Sequence, residues 1–290
     1  MKNRSLYLGL FALAALLAAP QVASRLSLRS AGDDARPYPF AAAAQEKDKE
    51  KGRWNDNDDD FTERDTFDQN YQLAPGALVK VSGINGAVDV QTSGGTTAEV
   101  HVVRSARTRA DLERNRILVE QTASGLYIHG ENDKDKWGER RGGDVRHRIM
   151  LRLPRQIEFQ ASGINGRATV GEVDGPVRLS GINGRVEVAQ ARGFSDISGI
   201  NGAVAITITQ LGERGIRVSG INGGVELRFA EALNADLHVN GINGAVYADV
   251  PNVTVQGRVN RSNFDAQIGG GGSPINVSGV NGHVRLSPRT

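Results

Sequence analysis

Ser198-Gly199-Ile200-Asn201-Gly202 is one of five identical pentapeptides in a chain of 290 residues. The same letters stand at 82–86, 162–166, 180–184 and 219–223. Two variants, Asn240-Gly241-Ile242-Asn243-Gly244 and Ser278-Gly279-Val280-Asn281-Gly282, keep the pattern. Counted from the shared Asn (Asn85, Asn165, Asn183, Asn201, Asn222, Asn243, Asn281), the last five steps are 18, 18, 21, 21 and 38 residues. Self-similarity at about 20 residues signals a stacked repeat. The long step divides in two if Val259-Asn260-Arg261-Ser262-Asn263 is a worn copy.

Both arms of the block alternate at period two. Val79 and Val81, Val177 and Leu179, and Ile216 and Val218 lead into three of the corners; Val88 and Val90, Val186 and Val188, and Val225 and Leu227 lead out. Such alternation of β-branched and apolar residues is that of strands with one buried face. Asn-Gly between alternating strands is also a strong hairpin signal, so an antiparallel meander is the competing architecture. A hairpin, however, does not ask for the same Ser, Gly and Ile each time. In a solenoid, equivalent corners lie about 4.8 Å apart, so Asn side chains can form a hydrogen-bonded ladder. The fold class read here is all-β: a single-stranded, parallel β-helix-like solenoid of 18–21-residue units, with a less regular N-terminal β section.

Residues 1–24 read as a signal peptide, with Lys2 and Arg4 ahead of an apolar run over 6–19 that is short for a membrane span. Cleavage after Ser24 or after Ala44 fits, and an uncleaved anchor is the alternative; without cleavage the mature chain would keep that one span. Residues 25–71 are rich in Ala, Pro and charge and read as a disordered tether. The acidic run Asp56-Asn57-Asp58-Asp59-Asp60 fails as an EF-hand because Phe61 and Phe67 stand where Gly and Glu are needed. Residues 72–158 read as an N-terminal β section that caps the stack, with strands over 98–102, 117–121, 125–129 and 145–153, an exposed loop at 131–144 and a turn of helix at 109–114. Residues 159–290 read as the regular stack.

With the pentapeptides, the strand end Leu151-Arg152-Leu153-Pro154 and the leader in hand, the chain resembles the bacterial putative-adhesin β-repeat family, relatives of the head GIN domain and toastrack proteins. The resemblance covers about residues 73–286. It implies a β-solenoid displayed outside the cytoplasm and brings no catalytic residues with it.

The search for chemistry is largely negative. With no cysteine, thiol catalysis, disulfides and Cys-based metal sites are excluded. The five histidines share no metal-ligand spacing. The run Gly269–Gly272 lacks the Lys and Ser/Thr of a phosphate loop. Glu187 and Glu226 share a column four residues past the Asn, but a coil carrying Ala205 separates them and no supporting group accompanies them. The formal charge is +2, which loss of Lys2 and Arg4 cancels, so nothing points to nucleic acid. Arg178, Arg217 and Arg258, with Arg167 and Arg185 past the corner, form a mildly basic strip open to acidic glycans, lipid head groups or a negatively charged protein.

The expectation is therefore a non-enzymatic, exported envelope or surface module (periplasm, outer-envelope surface or extracellular) that uses no cofactor or metal and binds a surface glycan or an envelope protein. A periplasmic scaffold or regulator of an envelope-stress system is the alternative, and a carbohydrate-active enzyme a third.

Overall fold

The computed structural model describes residues 61–132, 145–190, 193–230, 233–250, 253–256 and 263–289. The leader, most of the tether, Arg258 and the loop after Asn132 lie outside them. The first strands are β1 (Glu63–Gln72), β2 (Leu78–Ser93) and β3 (Thr97–Ala106). A six-residue helix, α1 (Arg109–Arg114), follows, capped by the Thr108 hydroxyl, which accepts from the Asp111 N–H. Then come β4 (Asn115–Thr122), β5 (Gly125–Asn132) and β6 (Val145–Pro154).

From there the chain is a succession of strand pairs, one on each side of a corner. They are β7 (Glu158–Asn165) with β8 (Ala168–Val173), β9 (Val177–Asn183) with β10 (Val186–Gln190), β11 (Ser195–Asn201) with β12 (Val204–Ile208), and β13 (Ile216–Asn222) with β14 (Val225–Phe229). β15 (Ala235–Ile242) with β16 (Val246–Ala248) and β19 (Ser273–Asn281) with β20 (Val284–Pro288) complete the set. Between these last two pairs lie β17 (Val253–Gln256) and β18 (Asn263–Ile268). β2 is long enough to supply both arms of the first coil by itself.

Strands entering the corners pair in parallel and in register, as do strands leaving them. The entry sheet runs β4, β5, β2, β7, β9, β11, β13, β19, β15, β18, β17. The exit sheet runs β1, β3, β6, β2, β8, β10, β12, β14, β20, β16. Every second residue faces inward, and the inward residues of both sheets make one core. Its corner column, Ile84, Ile164, Ile182, Ile200, Ile221, Val280 and Ile242, is at most 5 % exposed throughout. The solenoid expectation is met, and the strands expected between 98 and 153 are present.

Two expectations require correction. Residues 63–71 are strand, not tether, because β1 pairs with β3 along its whole length. Its inward column includes Asp65 and Gln69, so the segment reads as solvated charge until Asp65 is seen against the buried Arg104. Among the described residues the 38-residue step holds no extra coil. Asn263 opens β18, which pairs antiparallel with β15, so it is no worn corner. The structure also shows that coils do not stack in chain order: β19 and β20 lie between the pair β13/β14 and the pair β15/β16.

Candidate functional site: the corner face

The corner Asn side chains form a ladder with one direction. Asn165 Nδ2 donates to Asn85 Oδ1 at 3.0 Å, Asn183 to Asn165 at 3.1 Å, and Asn201 to Asn183 at 3.1 Å. Asn222 donates to Asn201 at 2.9 Å, Asn281 to Asn222 at 3.0 Å, and Asn243 to Asn281 at 3.1 Å. At the first end Asn85 Nδ2 donates to the Val145 carbonyl at 2.8 Å. The ladder lies at the surface: all its members are exposed except the half-buried Asn85. Inside the ladder each amide uses one N–H and one lone pair, leaving one of each for solvent or a ligand.

Beside it runs a second uniform row. Ser82, Ser162, Ser180, Ser198, Ser219 and Ser278 are consecutive partners across the entry sheet, and Asn240 takes the last place. These six hydroxyls hydrogen-bond to nothing among the described residues. Between the two rows the first corner glycines, such as Gly199 at φ +61°, expose bare backbone. The corner face is thus a flat polar track of hydroxyls, backbone and amides, one set per coil about 4.8 Å apart.

The proposed basic strip is less continuous than its sequence column. Its order in space is Lys80, Gln160, Arg178, Asp196, Arg217, Asn276, His238, Asp265. Arg178 is paired with Glu158, and His238 Nδ1 lies 3.0 Å from Asp265. Arg217 is exposed beside Asp196. Arg167 and Arg185 belong to the other side of the corner, where Arg185 lies 3.6 Å from Glu187. Arg258 is outside the described residues. Two short basic groups flank the track rather than one strip.

The exit sheet carries the carboxylate pair. Its outward row reads Asp89, Thr169, Glu187, Ala205, Glu226, Arg285, Tyr247. Glu187 and Glu226 are two strands apart, about 10 Å, at the edge of the spacing that inverting glycosidases use. Glu226 accepts from Arg228 at 2.7 Å and from the Ser287 hydroxyl at 3.4 Å. The Arg228 hydrogen bond, against the opposing effect of burial, holds the Glu226 carboxyl below its ordinary value, and Arg228 is raised in turn. A general acid needs the opposite shift. Charge pairing on a solvated face accounts for both residues.

One polar cluster escaped the sequence reading. His147 is buried at the first end of the ladder, where its Nδ1 accepts the Asn85 backbone N–H at 3.2 Å. Its Nε2 therefore carries the proton and has no partner. Burial first, then the Arg104 charge, pushes the imidazole down to about 4. Arg104 is itself buried, donates to the Leu112 and Asn115 carbonyls at 2.7 Å each, and pairs with Asp65. Spacing alone gave His147 no partner, since Arg104 and Asn85 reach it through strand pairing. The cluster finishes the ladder where no further corner exists. Among the described residues no group of His, Asp or Glu is placed to hold a metal, and no helix is long and apolar enough to cross a membrane.

No family model matches the sequence, and no curated protein matches it. Solved structures similar to the chain include a "putative cell adhesion protein" from Clostridium sporogenes, 12% identical, with TM-score 0.45, over 78% of this chain and 100% of that one. A "putative adhesin" from Bacteroides fragilis is 11% identical with TM-score 0.31, over 77% of this chain and 97% of its own. Another from Parabacteroides merdae is 12% identical with TM-score 0.24, over 78% and 96%.

Proposed function

We propose that this chain is an exported, non-enzymatic binding module of the bacterial envelope or surface, and that its recognition surface is the corner face. The Ser row carries this reading. Folding accounts for the other letters of the repeat: Ile fills the core column, Asn makes the ladder, and the glycines turn the chain. An outward strand position next to solvent would accept Thr, Lys or Glu equally well, yet six coils present Ser, with hydroxyls that bond to nothing among the described residues. A track of unspent hydroxyls and half-spent amides, repeated about every 4.8 Å, suits an extended, hydroxyl-rich ligand such as a surface glycan chain. Arg217 at its margin favours an acidic one.

The test is a glycan array read with the wild-type protein and with Ser198→Tyr/Ser219→Tyr, which crowds the track without touching the core. Binding lost in the variant supports the reading; binding equal in both sinks it. Protease shaving of intact cells addresses placement. Release of the solenoid supports surface display, and protection until the outer envelope is opened favours the periplasmic scaffold. Turnover of a polysaccharide that Glu226→Gln abolishes would overturn the non-enzymatic part.

A further inference from the structure

The 21-residue step from Asn222 to Asn243 repeats that from Asn201 to Asn222, and the unit around Asn243 keeps the inward residues Leu237, Val239 and Ile242. Nothing in its local pattern prevents it from stacking directly on β13 and β14. In the structure it does not: β19 and β20 occupy that place. We propose that this C-terminal coil, residues 273–288, is an exchangeable wedge, and that a second copy of this chain is the alternative partner whose slot it fills.

Three observations carry this. First, the slot is symmetric about the wedge. Val277 pairs with Val218 on one side and Val239 on the other, Ser278 with Ser219 and Asn240, and Val280 with Ile221 and Ile242. The two walls are therefore equivalent parallel strands at matching residues, and either the wedge or the opposite wall satisfies them. Second, the wedge is the better interior coil. Its Ile275, Val277, Val280, Val284 and Leu286 are at most 1 % exposed. β16 sets the exposed Ala248 against Leu286, in the column that Val188, Ile206 and Leu227 fill in other coils. The unit carrying β16 suits an end, and the wedge suits a middle. Third, the wedge hangs on the run Gly269–Gly272, with Gly269 at φ +59° and Gly271 at +75°. That hinge is fastened to β15 and its lead-in, by Gly270 N–H to Asn234 Oδ1 at 2.8 Å and Gly272 N–H to Asp236 Oδ2 at 3.2 Å, and to the end of β18, by Gln267 Nε2 to the Gly270 carbonyl at 3.1 Å and Gly271 N–H to the Ile268 carbonyl at 3.2 Å.

The wedge follows β13 and β15 in the chain, so both exist before the strand that separates them. Every contact it makes is offered by an identical slot in any other copy. A reciprocal exchange conserves both sheets and the amide ladder and changes only the hinge, which is the low-cost route to a dimer by element swapping.

The chain has no cysteine, so introduced thiols report cleanly. Ser219 and Ser278 are neighbours on β13 and β19, and a strand spacing of about 4.8 Å lies within disulfide reach. In the full chain, Ser219→Cys/Ser278→Cys should close an intrachain disulfide; failure to close would place the wedge elsewhere and overturn the proposal. Folded full-length Ser219→Cys and Ser278→Cys are then mixed at high concentration, warmed below the unfolding transition and oxidised. The expected result is a covalent heterodimer in several-fold excess over a control pair of Ser162→Cys with Ser278→Cys, since Ser162 lies on β7, away from the slot. Equal yields in the two mixtures would overturn exchange.

Discussion

The two glycines of one corner should fail in different ways when changed to alanine, and the contrast measures the stacking directly. Gly199 sits at φ +61°, and a Cβ added there would meet nothing nearer than the Gly181 nitrogen at 3.6 Å. Gly199→Ala thus incurs only the cost of a left-handed backbone, about 1–2 kcal/mol. Gly202 sits at φ +152°, and its Cβ would lie 2.0 Å from the Gly184 carbonyl oxygen and 2.7 Å from its carbon. No rotamer relieves an overlap of backbone with Cβ. The coils must part, at the place where Gly184 N–H bonds Asn201 O and Gly202 N–H bonds Asn222 O, each at 3.0 Å. Gly202→Ala therefore belongs with the exceptional substitutions that cost more than about 4 kcal/mol. At roughly 2–4 °C per kcal/mol for a domain of this size, Gly199→Ala should lower Tm by about 2–8 °C. Gly202→Ala should lower it by more than about 8 °C on the same conversion, or yield insoluble chain. Thermal and urea unfolding followed by far-UV circular dichroism, with native-state proteolysis, decides the matter. Equal, small effects at the two positions would refute close stacking of successive corners.

Asn201→Ala removes two ladder hydrogen bonds at an exposed site and should cost about 0.5–1.5 kcal/mol. Asn201→Asp should cost more at neutral pH, because a carboxylate oxygen then faces the Asn183 Oδ1 acceptor at about 3 Å; Tm values at pH 7 and pH 3 check this, the gap between the variants narrowing as the acid protonates. His147 is held neutral in the folded chain, its imidazole at about 4 against 6.5 unfolded. The unfolded chain therefore binds the proton first, and stability is lost as pH falls from about 6.5 to about 4, by roughly 3 kcal/mol in all at 1.36 kcal/mol per unit. His147→Gln should flatten that part of the Tm–pH curve, and an NMR titration showing His147 near 6.5 would contradict the burial argument.

The corners were legible because parallel stacking places the same demand on every coil. A left-handed glycine, a core Ile and a laddered Asn recur wherever one coil rests on another, and the alternation around them assigns both sheets. β1 was not legible because strand periodicity is read from apolar residues, whereas Asp65 turns inward to a guanidinium supplied by Arg104, 39 residues away. Likewise, His147 becomes informative only once β6 lies beside β2. The position of the last coil was invisible for a related reason. Its walls on β13 and β15 are interchangeable in sequence, so a local pattern ranks the coils as compatible without ordering them. The Arg column shows the same limit: which charges become neighbours depends on coil order, and Arg217 meets Asn276 instead of His238.

Coil order also follows from how the stack is closed. At one end the parallel pairing gives way to antiparallel strands in both sheets, β4 on β5 and β3 on β6; at the other the entry sheet does so through β18 on β15 and β17 on β18, while the exit sheet ends on the three-residue β16, parallel to β20. Antiparallel pairing cannot continue an in-register row of corner amides, so the ladder stops at Asn85 and Asn243, and the long parallel edges that would template further chains are withdrawn. An entry sheet capped in this way cannot lengthen at its tips without dismantling a cap. There a new coil is accommodated between two existing ones, and that is where residues 273–288 lie. Insertion within a chain and exchange between chains are then the same physical operation, the opening of one parallel interface to admit a coil that matches both walls.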